Sequence, residues 1–535
     1  MAFDVGQLAD ALGEEILRYL LALSEDQQIA DASSPERLTV LNHLQGIHAR
    51  ALVDSQGDTS NAAFTMAAHL TSFRPELQST LANFFRSSCG APRHEPAAVE
   101  DPVLDAMQRL MIDTWPAFLV KIPQRDFQAL SQSAMSGIFR HPAAIEACRA
   151  FVADPDLSKL FPNAPSLQHE TSLGIASMGI YGTWFSNTGA LGSRQLIQVI
   201  SSTISDARFR VVATGRQLTV TALVNELNTS LAALRRLAAG EAVEVPAHVG
   251  LSGVILPDGL TIELAVGRLR AVSESDHEIL NDLGRVTCVL STSFALRFVQ
   301  AEPIVLEDET AYIEAWRRTE PAARKAHREF QDRIDQARLA LLLASDGETF
   351  LATHEVSRHV SDPAAQFGYS SWDGTRHTPQ QQRVQPEQAV DAARWFTTVR
   401  EVHPESLDIA VSRILRAATA RWDGSDAFID AIMAWENAFG SSSETTFKVT
   451  ASIAKLLRPT QPTEREHLRK ELAALYGKRS SLVHGSKELS PEDARRHSTR
   501  AIAIGLDVLR SLYTSRDDLL PLQSDKRSVH LLLEG

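Results

Sequence analysis

The stretch Tyr476-Gly-Lys-Arg-Ser-Ser-Leu-Val-His-Gly485 places Arg479 five positions ahead of His484 in a half-apolar segment of helical character. An arginine side chain is always charged and can hold a phosphate or a developing negative charge. A histidine side chain titrates near neutral pH and can move a proton. The two residues together therefore suggest chemistry on RNA.

The segment before this motif has the spacing of an amphipathic helix. Thr463-x-x-Glu466 is typical of a capping-box helix start. The positions that then recur three and four apart are Leu468, Leu472, Leu475, Arg479 and Leu482. Arg479 falls on the same stripe, where a leucine is expected. His484 lies further on, about 140° around an ideal helix of about 3.6 residues per turn, so one continuous helix would not direct both side chains at one phosphate. Gly477 and Gly485 allow a bend or a helix end that would reorient them.

Two further helices are predicted on either side of this one. Ser441-x-x-Glu444 is another capping-box pattern, and its helix should end at Arg458-Pro459. Ser490-Pro-Glu-Asp493 is a third start, with Ser490 as the N-cap and Pro491 at the first helical position. The predicted core face of that last helix comprises Ile502, Gly505, Val508, Leu509 and Leu512. The region around the motif is therefore predicted to be a small all-helical bundle.

This combination of motif and helices resembles the HEPN superfamily, whose motif is an Arg followed a few residues later by a His. The likeness is greatest to the Apea-like branch, where R-S-x-x-V-H-G recurs, and the matching residues are Arg479, Ser480, Val483, His484 and Gly485. Upstream, residues 431–440 and 443–448 are similar to that branch's earlier helix, with Glu436 as its carboxylate, and to the start of the next helix. The resemblance covers residues 402–518 and implies an all-α HEPN bundle.

The resemblance implies a metal-independent endoribonuclease that needs no cofactor and acts on RNA as a homodimer, with two copies of the motif facing each other. His484 would act as general base or acid while the substrate's own 2′-hydroxyl attacks the adjacent phosphate, and Arg479 would neutralise charge on the non-bridging oxygens. Ser480 and Lys478 would help to position the phosphate. The family resemblance also suggests a toxin-like or antiviral (anti-phage) defence effector. Residues 1–400 carry no visible chemistry, and we expect them to restrain the nuclease until a trigger appears.

The distribution of charge fits an RNA partner better than the total does. The net charge is −13, but from Glu401 onward 19 Lys and Arg residues balance 19 Asp and Glu residues. Between Lys478 and Arg500 there are six basic residues against three acidic ones. The candidate RNA-binding residues of this basic strip are Lys487, Arg495, Arg496 and Arg500. Such a strip could supply phosphate contacts, although a solvated helix face with mixed charge would have the same composition.

Other interpretations fit the same residues. Arg479 can be a structural ion-pair partner of Glu436, with His484 serving only as a helix cap. Ser480 stands where many active HEPN nucleases carry Asn, Asp or His, which favours a non-catalytic HEPN protein that binds RNA or a partner protein and dimerises. A third interpretation makes the β-rich module described below a sensor for a small molecule or phage component, with the bundle as an assembly device.

The composition is that of a soluble chain with several domains. With 535 residues, 44% of them hydrophobic, it is long enough for about three domains with real cores. The N-terminus lacks the features of a signal peptide, and no apolar run approaches the ~20 residues that span a bilayer. The three cysteines, Cys89, Cys148 and Cys288, are scattered, so neither a disulfide framework nor a zinc site is indicated. We therefore expect a cytoplasmic protein without a membrane partner and without a bound metal.

The fold as a whole is predicted to be mainly α with a smaller central β or α+β module. Residues 1–240 should form a helix-rich region, with helices around 8–21, 37–52, 62–86 and 102–119 and with Gly182–Gly192 as a connection. Extended runs at 242–245, 250–256, 260–266 and 285–299 make residues 241–310 a β-rich module, with Pro257-Asp-Gly259 as a hairpin turn. Residues 311–400 hold a linking helix and a polar loop, residues 401–520 the HEPN bundle and residues 521–535 a tail.

Overall fold

The computed structural model describes residues 5–24, 26–29, 33–121, 138, 141–167, 179–188, 191–280, 284–300, 309–347, 349–365, 369–372, 380–421, 423–441, 443–485 and 488–534. Over these ranges the protein is mainly α and has one large antiparallel sheet in the middle of the chain. The predicted mainly α class with a smaller β part is therefore confirmed. None of the helices within these ranges is long and apolar enough to cross a membrane.

Before the sheet, helices occupy most of the residues that the structure describes. They are α1 (Val5–Leu12), α2 (Glu14–Leu20), α3 (Pro35–Asp54), α4 (Thr59–Thr71), α5 (Leu81–Ser88), α6 (Pro102–Thr114) and α7 (Pro142–Ala153). Two of the predicted helices are each divided in the structure. Gly13, with a φ of 91°, separates α1 from α2, and a short hairpin of β1 (Phe73–Arg74) and β2 (Ser79–Thr80) separates α4 from α5. The left-handed backbone at Gly13 lets the chain turn where a continuous helix was predicted.

The large sheet is built around one long strand. The strands that follow β2 are β3 (Tyr181–Ser186), β4 (Leu191–Gln195), β5 (Ala242–Ser252), β6 (Val254–Ile255), β7 (Thr261–Leu264), β8 (Gly267–Ala271), β9 (Cys288–Gln300), β10 (His354–Val360), β11 (Tyr369–Trp372) and β12 (Gln382–Arg383). The order across the sheet is β11-β10-β5-β9-β3-β4, and β8 also pairs with β9 and carries β7. Strands β6 and β12 form a separate parallel pair.

This sheet also includes strands that lie outside residues 241–310, the predicted β-rich module. The interpretation of Gly182–Gly192 as a connection is wrong, because residues 181–185 and 191–195 pair as the β3–β4 hairpin. The interpretation of Pro257–Gly259 as a hairpin turn is also wrong, because β6 before it pairs with β12 whereas β7 after it pairs with β8. The residues do form a turn, in which the Leu260 amide donates to the Pro257 carbonyl at 2.9 Å.

Further helices lie in the sequence between and after the strands. They are α8 (Leu196–Ala213), α9 (Val220–Ala238), α10 (Glu274–Leu280) and α11 (Glu309–Leu343). Helix α11 is the predicted linking helix, and it continues through Pro321. Its Arg333 donates to the Ser293 carbonyl of β9 at 3.0 Å. That hydrogen bond holds the long helix against the central strand of the sheet.

The chain ends in a helical bundle that contains the Arg–His motif. Its helices are α12 (Pro386–Val402), α13 (Asp408–Thr419), α14 (Gly424–Phe439), α15 (Thr445–Leu457), α16 (Pro462–Val483), α17 (Pro491–Ser515) and α18 (Ser524–Leu533). Trp435 of α14 is buried, and its indole N–H donates to the Ala501 carbonyl of α17 at 3.1 Å. The predicted core face of α17 is buried as expected: Ile502, Gly505, Val508, Leu509 and Leu512.

The three predicted helix starts in this bundle have different outcomes. Ser490 is the N-cap of α17, and its hydroxyl accepts from the Asp493 amide at 3.1 Å, as expected. Ser441 does not cap α15, because its hydroxyl donates to the Ser443 carbonyl at 2.6 Å while the helix begins at Thr445. Thr463 does not cap α16 either. That helix begins one residue earlier, at Pro462, a residue whose fixed φ suits the first helical position.

Candidate active site

The Arg–His motif lies at the C-terminal end of α16. The helix runs unbroken through Gly477 and ends at Val483, so of the two predicted possibilities the chain takes the helix end rather than the bend. His484 is the C-cap residue, with its amide donating to the Ser480 carbonyl at 3.1 Å. Gly485 follows with a φ of 66°, the left-handed conformation that commonly terminates helices. The imidazole of His484 is thereby left exposed at the tip of the helix.

Arg479 lies one turn earlier, on the side of α16 that faces α14. Its Nη2 lies 3.4 Å from Oε2 of Glu436, and the two side chains are 21% and 22% exposed. A charge-assisted N–H···O bond is usually about 2.7–2.9 Å long, so this carboxylate holds the guanidinium loosely. The Nε atom of Arg479 is enclosed and has no hydrogen-bond partner among the described residues. The guanidinium therefore keeps donor capacity that Glu436 does not use.

Tyr476 completes this cluster, although it was not among the predicted site residues. Its hydroxyl donates to Oε1 of Glu436, the carboxylate oxygen that Arg479 does not contact. Burial, together with the hydrogen bond to Glu436, raises the pKa of Tyr476 to about 12, so the phenol remains a donor at neutral pH. The available signal was its spacing, because a residue three positions before Arg479 shares the same helix face.

Lys478 is exposed, and its ammonium also contacts a histidine. Its ammonium lies 2.8 Å from Nε2 of His497 on α17. Burial lowers the pKa of His497, and the charges of Lys478 and Arg496 lower it further. A neutral imidazole can accept a hydrogen bond from the ammonium, which is consistent with this contact. To position a phosphate as predicted, the Lys478 ammonium would have to bind the phosphate and His497 at the same time, or break its contact with His497.

The predicted basic strip is partly neutralised by neighbouring carboxylates. Arg500 makes a bidentate pair with Glu471, at 2.7 and 3.2 Å, and Arg496 pairs with Asp493. Arg495 is exposed and donates to the Pro491 carbonyl at 3.3 Å, and in the described part of the chain it has no ion-pair partner. Lys487 lies outside the described residues. Of the three candidate RNA-binding residues that the structure describes, Arg495 is the one without an ion pair among the described residues.

Ser480 is half-buried and contributes its backbone carbonyl to the helix end through the His484 amide. The structure thus brings Arg479, Glu436 and Tyr476 into one cluster on the bundle surface. Within the described ranges no hydrogen bond joins the side chains of Arg479 and His484, which agrees with the angle between their positions on one helix. His484 and the cluster lie near the same end of α16.

Fold and site together define a class of protein that is mainly α, has a central antiparallel sheet and carries an Arg–His motif at the end of a helix. No protein-family model, curated protein or solved structure matches this chain. The functional assignment accordingly depends on the residues of the chain itself.

Proposed function

We propose that this protein is a metal-independent endoribonuclease of the HEPN type, acting as a toxin-like or antiviral defence effector. The observation that carries the proposal is the placement of Arg479. A cation on the apolar stripe of α16 is only loosely held by Glu436, and an exposed histidine stands at the end of the same helix. An arginine that merely stabilised the bundle would be expected to make a short, fully satisfied ion pair.

In the proposed reaction the 2′-hydroxyl of the RNA attacks the adjacent phosphorus and the bond to the 5′-oxygen breaks. One His484 takes the proton from the 2′-hydroxyl or gives one to the leaving 5′-oxygen, and the solvent accepts or supplies the other proton. Arg479 stabilises the charge that builds on the non-bridging oxygens. The products are a 2′,3′-cyclic phosphate and a 5′-hydroxyl, and no protein nucleophile or activated water takes part. DNA lacks the attacking hydroxyl and should not be cut.

The proposal includes a homodimer, because one copy of α16 does not direct both side chains at one phosphate. Two copies facing each other would supply an Arg479 and a His484 from each chain. The surface near the motif carries apolar side chains that suit such a contact: Val483 is 50% exposed beside His484, and Phe447 of the neighbouring α15 is 56% exposed. Exposed apolar groups of this size favour burial against a partner surface.

The test uses purified full-length protein with mixed cellular RNA, with and without a chelator, and with single-stranded DNA as a second substrate. Wild type should cut RNA in the presence of chelator and leave DNA intact. His484→Ala and Arg479→Ala should each lower the cleavage rate at least about 100-fold, the usual size of a lost acid–base or electrostatic contribution. Analysis of the cut ends should find cyclic phosphates.

Two residues on the same helix provide matched controls. His467 is an exposed histidine of α16, and Arg469 is an arginine of α16 that pairs with a glutamate, Glu466, as Arg479 does with Glu436. His467→Ala and Arg469→Ala should cut RNA at the wild-type rate. Cleavage that survives both motif substitutions would remove this site assignment, and cleavage of DNA or its loss with chelator would remove the mechanism.

The second candidate is a non-catalytic HEPN protein that binds RNA or a partner protein. The contact between Arg479 and Glu436 favours it, because a carboxylate beside the guanidinium competes with a phosphate. In that case His484→Ala should bind RNA as wild type does, with no cut ends in either protein. A gel-shift titration run beside the cleavage assay separates the two candidates.

A further inference from the structure

The carboxylate of Glu436 is shared between two side chains of helix α16. Tyr476 and Arg479 lie three positions apart on that helix, so they are on the same face, and Glu436 reaches them from α14. Its Oε1 accepts from the Tyr476 hydroxyl, and its Oε2 lies 3.4 Å from Nη2 of Arg479. Each oxygen of the one carboxylate therefore contacts a different residue.

This sharing prevents the pair that Arg479 and Glu436 would otherwise form. An arginine and a carboxylate commonly make two parallel N–H···O bonds, which use both carboxylate oxygens. Here Oε1 already receives the proton of Tyr476, so the guanidinium meets a single oxygen at a long distance. The Nε atom of Arg479 is left without a hydrogen-bond partner among the described residues. Tyr476 thus limits how closely Glu436 can hold the guanidinium.

Burial gives this arrangement its effect. Tyr476 is 8% exposed, and the side chains of Arg479 and Glu436 are mostly buried as well. Partly buried charges are screened less than exposed ones, so the carboxylate competes effectively with any phosphate for the guanidinium. Burial and the hydrogen bond to Glu436 raise the pKa of Tyr476 to about 12, and the hydroxyl keeps its proton at neutral pH. The hydrogen bond to Oε1 is therefore in place under the conditions in which RNA would bind.

We propose that Tyr476 is a positioning residue: by holding Oε1 of Glu436 it keeps the carboxylate from closing on Arg479 and leaves the guanidinium available to an RNA phosphate. The inference rests on the proposed function, because it concerns how Arg479 comes to bind the substrate. Tyr476 acts through Glu436 and does not itself bind the phosphate. Without the hydroxyl, both oxygens of Glu436 would turn to Arg479 and neutralise its charge.

The test measures binding of a fluorescent 2′-O-methyl RNA to the purified full-length protein by anisotropy. This RNA keeps its phosphates but has no free 2′-hydroxyl, so the proposed reaction does not consume it. Tyr476→Phe should weaken binding at least about fivefold, and Arg479→Ala should weaken it at least as much. In both variants the slope of log K against log salt should become shallower by up to about 0.7, the contribution of one phosphate contact with a single strand.

A second substitution separates positioning from a structural role. Glu436→Gln keeps the size of the side chain and removes the charge that would neutralise Arg479. When Tyr476→Phe is added to Glu436→Gln, RNA binding should change less than about twofold, because the amide does not compete with the phosphate. A purely structural role for Tyr476 would instead weaken binding by the same factor with either residue at position 436.

Tyr513→Phe is the matched control for the loss of a tyrosine hydroxyl in this bundle. Tyr513 is a buried residue of α17, and its hydroxyl lies 2.7 Å from Nδ1 of His403, away from the motif. This variant should bind the RNA as wild type does, with an unchanged salt dependence. Circular dichroism confirms that each variant is folded.

The outcomes distinguish this inference from the proposed function. A loss of affinity in Tyr476→Phe that disappears beside Glu436→Gln supports the positioning role. If Arg479→Ala weakens binding but Tyr476→Phe leaves it unchanged or strengthens it, the positioning role is overturned and the proposed function stands. An equal loss with and without Glu436→Gln overturns the positioning role in the same way. If wild type binds the RNA no more tightly than Arg479→Ala does, the proposed function fails at this site and the inference fails with it.

Discussion

His359 of β10 and Asp362 just after that strand are both buried, and burial acts on them in opposite directions. Burial lowers the pKa of His359 to about 3, with a further contribution from His248, and raises the pKa of Asp362 to about 6. Each side chain is thus pushed toward its neutral form. For His359 the fold loses stability as the pH falls below the unfolded value, about 6.5. For Asp362 it loses stability as the pH rises from about 4 to about 6.

Replacing Asp362 by Asn should therefore stabilise the fold at neutral pH. Asn retains an oxygen that can accept from the Ala364 amide, a bond of 2.9 Å in the structure, while it removes the buried charge. The expected gain is about 2–3 kcal/mol at pH 7.5, shrinking as the pH is lowered toward 5. Urea unfolding across this pH range measures it. Asp258→Asn, at an exposed turn, should change stability little at any pH; a gain for Asp362→Asn that does not vary with pH would contradict the assignment.

Individual residues of the candidate site differ in how far the sequence predicts them. Arg479 was recognisable because a charge interrupts a stripe of leucines, and Glu436 was a candidate partner because it lies on a neighbouring predicted helix. Tyr476 was not, because a tyrosine on an apolar stripe satisfies the helical pattern and its hydroxyl leaves no trace in the spacing. The contact between His497 and Lys478 was not predicted either, because the two residues lie on different helices. The local sequence pattern does not show which side chains will be buried by helices that are distant in the sequence.

At the scale of the helix, two serines with the same local pattern behave differently. Ser490 accepts from the Asp493 amide and so satisfies a free N–H group at the start of α17. Ser441 has a glutamate three residues later, as a capping box requires, but α15 begins at Thr445 and its N-cap residue, Glu444, has a φ of 53°. The start of α15 therefore does not follow from the capping-box pattern of residues 441–444 alone.

Ser490→Ala should consequently destabilise the protein by about 1 kcal/mol, the usual value of a lost N-cap. Ser441→Ala is the matched control, because its hydroxyl donates to a loop carbonyl and accepts from no helix amide among the described residues. We expect its effect to be smaller. Thermal unfolding of the two variants in parallel measures both. A larger loss of stability for Ser441→Ala than for Ser490→Ala would contradict the assignment of Ser490 as an N-cap and of Ser441 as a residue that does not cap.

The sheet shows the same limit at the scale of strands. The extended runs of β5, β7 and β9 were predictable, because they are rich in β-branched and aromatic residues between turn signals. Their partners were not, because β5 pairs with β10, more than 100 residues later, and β9 pairs with β3, a similar distance earlier. The prediction for β5 also left out residues 246–249, whereas the strand continues through them and pairs Pro246 with Ser293. Local pattern identified these three strands and missed the long-range pairing.

At the scale of the whole molecule, the central part and the C-terminal bundle are joined at the end of α11. Arg510 of α17 donates to the carbonyls of Leu343 and Ser345, at 3.0 and 2.8 Å, and so satisfies acceptors that the end of α11 leaves free. Arg338 of α11 makes a second link by donating to the hydroxyl of Thr419 on α13 at 2.9 Å. Any restraint of the bundle by residues 1–400 would have to act through connections of this kind.

If residues 1–400 restrain the proposed nuclease, Arg510→Ala in the full-length chain should raise its activity. The substitution leaves helix-end carbonyls without their charged donor, at a cost of about 2 kcal/mol at the junction. A loss of about 1 kcal/mol from the restrained state would raise RNA cleavage about fivefold. Arg516→Ala is the control, because Arg516 pairs with Asp518 within the bundle and does not reach the junction. Cleavage rates and growth inhibition on expression measure the effect. Unchanged or lower cleavage in a folded Arg510→Ala protein would argue against restraint through this junction, since the bundle would then act no faster with this link to α11 removed.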